Sequence, residues 1–211
     1  MVASRTSSPV GAVRFATNLA QTALANASTK WILCPWLNRF PKDTGVWLGV
    51  LAAHDANEGL LDALPISKKR WPNVYAGVLA VDTLRPAGQL IRHLKSAGIV
   101  GVINFPSVSF IDGEAAKVFK GLSLGIEREI DFLQACSTEG LRIGGVTNSA
   151  EAAQRLVRMG VDFLIAHGGP PTRENPDPSQ NTVRLLEHIA MDHGTPVVPM
   201  SQIRFRSRRL R

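Results

Sequence analysis

KSAGIVGVINF, residues 95–105, decides how the rest of the chain is read. It passes from a helical pattern into a glycine, and then at once into a continuous apolar run that stops at Asn104. The same punctuation returns as STEGLRIGGV (137–146), VRMGVDFLIAH (157–167) and MDHGTPVVPM (191–200). A glycine just past a helix accepts the left-handed backbone that a Cβ disfavours, so it stops the helix and turns the chain. The runs that follow are continuous rather than alternating, as a strand covered on both faces requires.

The segments between these runs read as helices. Ala87, Leu90, Ile91, Leu94 and Ala97 share one face at helical spacing; so do Ile126, Ile130 and Leu133, then Ala152, Ala153, Leu156 and Val157, then Val183, Leu186 and Ile189 or Ala190. Asn148 with Glu151 has the spacing of an N-cap and its returning carboxylate. Towards the N-terminus, WPNVYAGVLAVD (71–82), TKWILCPW (29–36) and VGAVRFAT (10–17) predict three more strands, with a helix over Leu19–Ala27. VWLGVLAAH (46–54) reads equally as a buried strand or a helical turn.

Strand then helix, repeated, means a parallel sheet with right-handed crossovers. Six or seven such units predict an α/β fold, a (β/α) TIM-type barrel rather than an open doubly wound sheet. An eightfold barrel takes roughly 250 residues, and after 195–200 only SQIRFRSRRLR remains. Either 46–51 supplies an eighth strand, or the barrel is incomplete at its C-terminal end and exposes a sheet edge.

With 211 residues, 45% apolar and 19% charged, the chain is neither disordered, nor collagenous, nor a disulfide-stapled mini-protein. No apolar run reaches the roughly 18 residues of a membrane helix, so no membrane partner is expected. Cys34 and Cys136 lie far apart and outside any metal-ligand spacing, which predicts a reducing compartment and no redox role. The net charge of +7 sits at the ends: residues 1–42 carry five bases and no acid, and five arginines fall between Arg204 and Arg211. Residues 43–203 hold 14 basic and 17 acidic side chains. A short basic tail is usually just solvated, so a nucleic-acid partner is not expected. The expected organisation is a loose tail over 1–9, a barrel over 10–200 and a basic tail over 201–211. Arg5, Arg14 and the Ser/Thr cluster at 4–8 also have the composition of an organellar transit peptide. The reading adopted is a cytoplasmic protein with no secretory signal.

In a β/α barrel the site lies at the C-terminal ends of the strands. Asn38 and Arg39 follow the run at 29–36, Asp82 ends 71–82, Asn104 ends 99–103, Thr147 and Asn148 end 141–146, and His167 ends 161–166. Each has a plainer use as well: Asp82 and Asn148 as helix caps, Asn104 in the turn before Phe105-Pro106-Ser107, His167 as a buried structural imidazole. A neutral imidazole at a strand end also suits general acid/base work. Asp55 in HDAN, Asp112 in IDG, and Glu127 and Glu129 at a helix start complete the carboxylates. First-turn carboxylates often serve the helix dipole, but two or three of them would suit a hard cation such as Mg²⁺. Gly168 and Gly169 bring backbone N–H groups within reach of an anion, and the polar loop 168–181 reads as a lid or as a loose excursion.

VYAGVLAVD, GVINFPSVSFIDG (101–113), LGIEREI (124–130) and GVDFLIAHGG (160–169) together resemble the phosphoenolpyruvate hydrolase-like TIM-barrel family, seen also as a C-terminal domain in plant tobamovirus resistance. HDAN (54–57) and NRF (38–40) extend a weaker similarity. The resemblance implies a barrel that binds a small 2-oxo acid or enol phosphate, often through Mg²⁺. It places Asp55, Asn57, Asp82, Asn104, Pro106, Asp112, Glu127 and His167 at matching positions. Two departures accompany it: GAVRFATN lacks the family's glycine-rich first turn, and the arginine-rich end has no counterpart.

The expected function is hydrolase or lyase chemistry on a small carboxylate- or phosphate-bearing substrate. Asp82, Glu127 and His167 are its catalytic residues, and Asp82 and Glu127 hold Mg²⁺ or position water. Arg39, Asp55, Asn57, Asn104, Ser107, Asn148 and Gly168 bind substrate. The alternative is a catalytically inactive binding scaffold of the same fold. Under either reading the exposed edge predicts a homo-oligomer.

Overall fold

The structure, a computed structural model, describes residues 11–23, 28–41, 45–48, 54–170, 172, 173, 176 and 178–205. Among the described residues, eight parallel strands alternate with helices. The strands are β1 (Val13–Ala16), β2 (Lys30–Leu33), β3 (Trp71–Val78), β4 (Ile99–Asn104), β5 (Arg142–Thr147), β6 (Leu164–Ala166), β7 (Val197–Pro199) and β8 (Arg204–Phe205). Their order in the sheet is β7-β6-β5-β4-β3-β2-β1-β8, so β7 and β8 end at opposite edges and the barrel has an unsealed seam. The architecture is an incomplete TIM-type barrel.

The helices are α1 (Gly45–Leu48), α2 (Ala56–Asp62), α3 (Ala87–Ser96), α4 (Gly113–Gly121), α5 (Ile126–Thr138), α6 (Ala150–Arg158) and α7 (Ser179–Ala190). Their stripes pack where the spacing places them: Leu90, Ile91 and Leu94 of α3, Ile130 and Leu133 of α5, and Leu156 and Val157 of α6 are all buried against the outer face of the sheet. The four punctuating glycines all adopt positive φ: 75° at Gly98, 81° at Gly140, 77° at Gly160 and 60° at Gly194. Gly98 is doubly constrained, because a Cβ there would stand 1.9 Å from the Lys69 carbonyl oxygen.

The barrel interior is filled by the other parity of the strands. Phe15, Ile32, Tyr75, Ile103, Phe105, Val146, Phe163 and Ile165 form one buried cluster. Glycines make room for its large rings: a Cβ at Gly101 would meet the Tyr75 ring at 2.6 Å, and one at Gly144 the Phe163 ring at 2.9 Å. This pairing of large and small side chains fills a narrow barrel without a pore. At the N-terminal ends of the strands the Tyr75 hydroxyl donates to Asp162, which also accepts from Arg142 Nε at 2.9 Å. Lys30 lies 5.7 Å from the centre of the Tyr75 ring. This end is closed by packing and paired charge.

Four expectations are corrected. Residues 46–51 do not supply the eighth strand: 45–48 are helical, and 49–51 lie outside the described residues. The eighth strand is Arg204–Phe205, in the arginine-rich segment, where it pairs with Arg14 and Phe15. The helix over 19–27 is a 3-10 turn at Leu19–Gln21, and residues 24–27 lie outside the described set. The strand at 71–82 ends at Val78, because the Asn57 amide takes both backbone groups of Leu79, accepting from its N–H at 2.9 Å and donating to its carbonyl at 3.0 Å. The cap of α6 is Ser149, which accepts from Ala152 N–H, and Asn148 stands exposed before it. The expected tail at 1–9 lies outside the described residues, as do 206–211 and parts of the 168–181 loop. Among the described residues no helix is long and apolar enough to cross a membrane.

Candidate functional site

Two polar clusters stand at the C-terminal ends of the strands. The first lies beyond β3. Asp82 Oδ1 accepts from the backbone N–H groups of Leu84 and Arg85 at 2.7 and 3.2 Å, and Oδ2 accepts from Asn57 at 2.8 Å and Arg85 at 2.9 Å. Arg85 donates onward to Asp55 at 2.7 and 3.2 Å, and Asp55 also caps α2 through Glu58 N–H at 2.8 Å. These hydrogen bonds and the guanidinium hold the Asp55 carboxyl below the usual carboxylate range, against the desolvation that pushes it up. Every polar atom of Asp82 is thus engaged within the protein.

The second cluster begins inside α5. The sequence pattern places Ile126, Glu129, Ile130 and Leu133 on one side of that helix, so the Glu129 side chain points into the core and is fully buried. Oε2 accepts from Asn104 Nδ2 at 2.6 Å and from Ser107 Oγ at 2.7 Å, and Oε1 accepts from Val108 N–H at 2.8 Å. Burial raises the Glu129 pKa to about 7, although all three hydrogen bonds pull the other way. Asn104 spends the rest of its amide on β5, accepting from Val146 N–H at 2.8 Å and donating to the Val146 carbonyl at 3.0 Å. The chain then runs outward: Ser107 Oγ lies 2.8 Å from Ser109 Oγ, and Ser109 Oγ lies 2.9 Å from His167 Nε2.

His167 is 1% exposed, its ring edge-on to Phe110 with centroids 4.5 Å apart and beside Trp47 at 6.1 Å. Burial lowers its pKa to about 4, so the imidazole is neutral at ordinary pH. Its Nδ1 is buried with no hydrogen-bond partner among the described residues. Such an orphan in an otherwise satisfied cluster calls for an explanation.

A cavity of about 280 Å³ opens over this second cluster. Ser109, Thr147, Asn148, Ser149, Lys120 and Glu127 line it, together with Gly125 and Ile126 at the start of α5. Asp82 lines a different cavity, of about 260 Å³, with Arg85, Arg128 and Asp131. Among the residues expected from the sequence, Asn104, Ser107 and His167 join one hydrogen-bonded chain, and Asn148 and Glu127 share the cavity beside it. Asp55, Asn57 and Asp82 form the separate network beyond β3. Arg39 is exposed at the end of the 3-10 turn Pro35–Arg39, and its charge helps lower the His54 pKa, chiefly depressed by burial. Gly168 is a packing glycine, since a Cβ there would stand 1.8 Å from the Pro178 carbonyl oxygen.

The arrangement does not suit Mg²⁺. Asp82 already holds four donors, Glu127 faces Lys120 at 3.9 Å over another cavity, and among the described residues no three His, Cys, Asp or Glu side chains could hold an ion. Cys34 and Cys136 are buried free thiols; burial drives Cys34 well up and Cys136 to about 12, which makes both inert. Glu129 and Ser109 are the two site residues that strand-end reasoning passed over. Glu129 was visible as a carboxylate on an apolar stripe, whereas Ser109 carries no such mark.

A sequence model of phosphoenolpyruvate hydrolase-like proteins matches residues 40–193. The chain is 37% identical over 119 residues to the uncharacterized protein y4oT of Sinorhizobium fredii, covering 56% of this chain and 61% of that protein. It is 30% identical over 132 residues to the tomato ToMV resistance protein Tm-1(GCR237), covering 61% of this chain and 17% of that protein. The tomato ToMV susceptible protein tm-1(GCR26) matches with the same identity and coverage. The chain thus spans about three fifths of the first relative and under a fifth of the tomato proteins.

Proposed function

The chain belongs to the phosphoenolpyruvate hydrolase-like family, and from that membership we propose that the cavity beside β5 is a reaction site for a small 2-oxo acid or enol phosphate. The chemistry is of hydrolase or lyase type, with His167 and Ser109 handling the proton. The observation that carries this reading is the place of Ser109, which bonds His167 Nε2 at 2.9 Å and lines the cavity. A hydroxyl held by a neutral imidazole, in a residue that also lines the cavity, can exchange a proton with an acid bound there. Lys120 and Asn148 offer an anionic substrate a cation and an amide. The first turn of α5 also lines the cavity, with Gly125 as a cap that makes no side-chain hydrogen bond and Glu127 Oε2 beside it. Asn104 and Ser107 serve as positioning residues through Glu129, Asp55, Asn57 and Asp82 shape the neighbouring rim, and Arg39 and Gly168 complete its edge.

The test is a panel of 2-oxo acids and enol phosphates, phosphoenolpyruvate included, followed by thermal shift and by release of phosphate or free 2-oxo acid. The expected result is at least one compound that raises Tm and is turned over, with turnover lost in His167→Gln while the Tm shift persists. A panel giving neither shift nor product overturns the reading.

A second reading, a non-catalytic binding protein, is favoured by the seam. Only residues 200–203 separate β7 from β8, and among the described residues both strands keep an unpaired edge. The tomato relatives are named for virus resistance or susceptibility rather than for a reaction. On this reading a second copy covers the edge. Light scattering would then show a homo-oligomer, and no small acid would bind.

A further inference from the structure

We propose that Glu129 is the proton store of this site, exchanging a proton with the cavity through the hydroxyls of Ser107 and Ser109. The proposal rests on the cavity being the reaction site, but the chain of contacts stands independently of any substrate.

The geometry is continuous. From Glu129 Oε2 the steps are 2.7 Å to Ser107, 2.8 Å to Ser109 and 2.9 Å to His167 Nε2. Ser109 is the member that reaches the cavity wall, while Glu129 and Ser107 lie wholly beneath it. Two groups in the chain can take a proton. Imidazolium formation at His167 is opposed by the aromatic surroundings, with no counter-charge beside the ring among the described residues. Glu129 suffers the opposite: burial disfavours its charge and invites a proton. A proton leaving a substrate in the cavity therefore does not stay on the histidine. It binds Ser109 Oγ as Ser109 passes its own proton to Ser107 and Ser107 passes its own to Glu129. Each serine gains one proton and loses one, one O–H bond forms on Glu129, and the negative charge moves from Glu129 to the substrate.

The orphan nitrogen now has a reason. When Glu129 is ionised the chain points towards it: His167 Nε2–H donates to Ser109, Ser109 to Ser107, and Ser107 to the carboxylate. When Glu129 is protonated in the substrate-free protein the chain reverses: Nε2 gives its proton to Ser109 as Ser109 and Ser107 pass theirs on to Glu129, Nδ1 takes one proton from solvent as the site opens, and one proton is gained overall. Because Nδ1 has no partner among the described residues, no hydrogen bond there fixes the tautomer, and the bond at Nε2 decides it.

Other charges are turned elsewhere. On α5, Arg128 donates to the Asp82 carbonyl at 3.2 Å, Asp131 meets Arg155 of α6 at 3.5 Å, Glu127 faces Lys120, and Cys136 is a buried neutral thiol. Of the elements packed on α5, β4 has no ionisable side chain and Arg142 of β5 binds Asp162. On α3, Arg92 and His93 are exposed and Lys95 binds Glu139; on α6, Glu151 and Arg158 are exposed. Arg184, Glu187 and His188 of α7, which packs on β6, are exposed too.

The experiment is long-range ¹H–¹⁵N NMR of the His167 ring in the substrate-free protein, from about pH 5 to about pH 9. The expected result is a change from the Nε2–H to the Nδ1–H tautomer as pH falls, with a midpoint set by Glu129 at about 7. In Glu129→Gln the change disappears, and in Ser109→Ala it disappears although the Glu129 carboxyl ¹³C signal still titrates. A wild-type tautomer that holds constant across the range overturns the proposal, as does a transition that survives in Ser109→Ala. If Glu129→Gln fails to fold, the Ser109→Ala comparison decides alone. A switch found without turnover of any panel compound leaves the relay standing and removes the enzyme reading; turnover without the switch does the reverse.

Discussion

The two polar clusters at the mouth of the barrel differ in one respect: the Asp55–Arg85–Asp82 network closes on itself, and the Glu129–Ser107–Ser109–His167 chain does not. In the first, the two Arg85 Nη groups bridge both carboxylates and each oxygen of Asp82 is matched, and the result fixes the loop after β3 against α2. In the second, three donors converge on one buried carboxylate, and the far end finishes in a nitrogen with no partner. Both contain residues that a reading of strand ends selects. Strand-end position therefore locates the rim, and incomplete hydrogen bonding distinguishes the part of it to which we assign the proposed chemistry.

The largest expected effect comes from deleting the anchor of the open chain. Glu129→Ala strips the acceptor from Asn104, Ser107 and Val108 N–H inside the core, and losing buried partners of this kind costs about 3 kcal/mol. Urea unfolding reads the loss. A midpoint unchanged within error would mean that the carboxylate does not organise the β4 end.

Nearly as large is a pair of opposed pH dependences. Glu129 has its pKa raised from 4.5 to about 7, so the folded state binds the extra proton. Its contribution is fully present below pH ~4.5 and is lost as pH rises through ~7. His167 has its pKa lowered from 6.5 to about 4, so its contribution is present above ~6.5 and is lost as pH falls through ~4. Each shift corresponds to about 3 kcal/mol, and between ~4.5 and ~6.5 the two slopes cancel. Wild-type stability should stay flat across that window. Glu129→Gln should unmask stability that rises with pH there, and His167→Gln stability that falls. Two single variants with parallel profiles would break the assignment.

How much of this the sequence contained varies residue by residue. The strand–helix alternation was legible because the four glycines needed for positive φ stand directly before the apolar runs. The end of β3 was not, since VLAV continues the apolar run past Val78, and only the distant Asn57 amide shows where Leu79 leaves the sheet. The eighth strand was hidden in an arginine-rich segment, where two residues carry no periodicity. Glu127 and Glu129 look alike as first-turn carboxylates, yet only Glu129 falls three residues after Ile126 and four before Leu133, on the buried stripe. The Ser107–Ser109 link depends on the 3-10 turn Val108–Phe110, a conformation that local sequence does not announce.

The closed network supplies the next contrast. Arg85→Met removes one cation from two carboxylates that keep their other donors, and partly exposed pairs of this kind are worth about 1 kcal/mol. The loss should shrink in about 1 M salt, where charges are screened beyond roughly 3 Å. The cost of Glu129→Ala should not, because its partners are neutral and buried. Equal salt sensitivity in the two variants would erase the distinction between the clusters.

Ser109→Ala is the smallest perturbation to stability and the sharpest to function. It removes one partly buried hydroxyl: Ser107 still reaches Glu129, and the His167 ring keeps its packing on Phe110 while losing its hydrogen bond at Nε2. One neutral hydrogen bond of this kind contributes about 1 kcal/mol, so Tm should fall by only a few degrees. If proton exchange runs through this hydroxyl, turnover of a compound found in the panel should fall by about 100-fold or more, the usual worth of a positioned acid or base. In the closed network, Arg85→Met carries a similar cost in stability and should leave turnover within a few-fold. A Ser109→Ala protein that loses stability as Arg85→Met does, and keeps its turnover, would place both clusters among the structural supports of the rim.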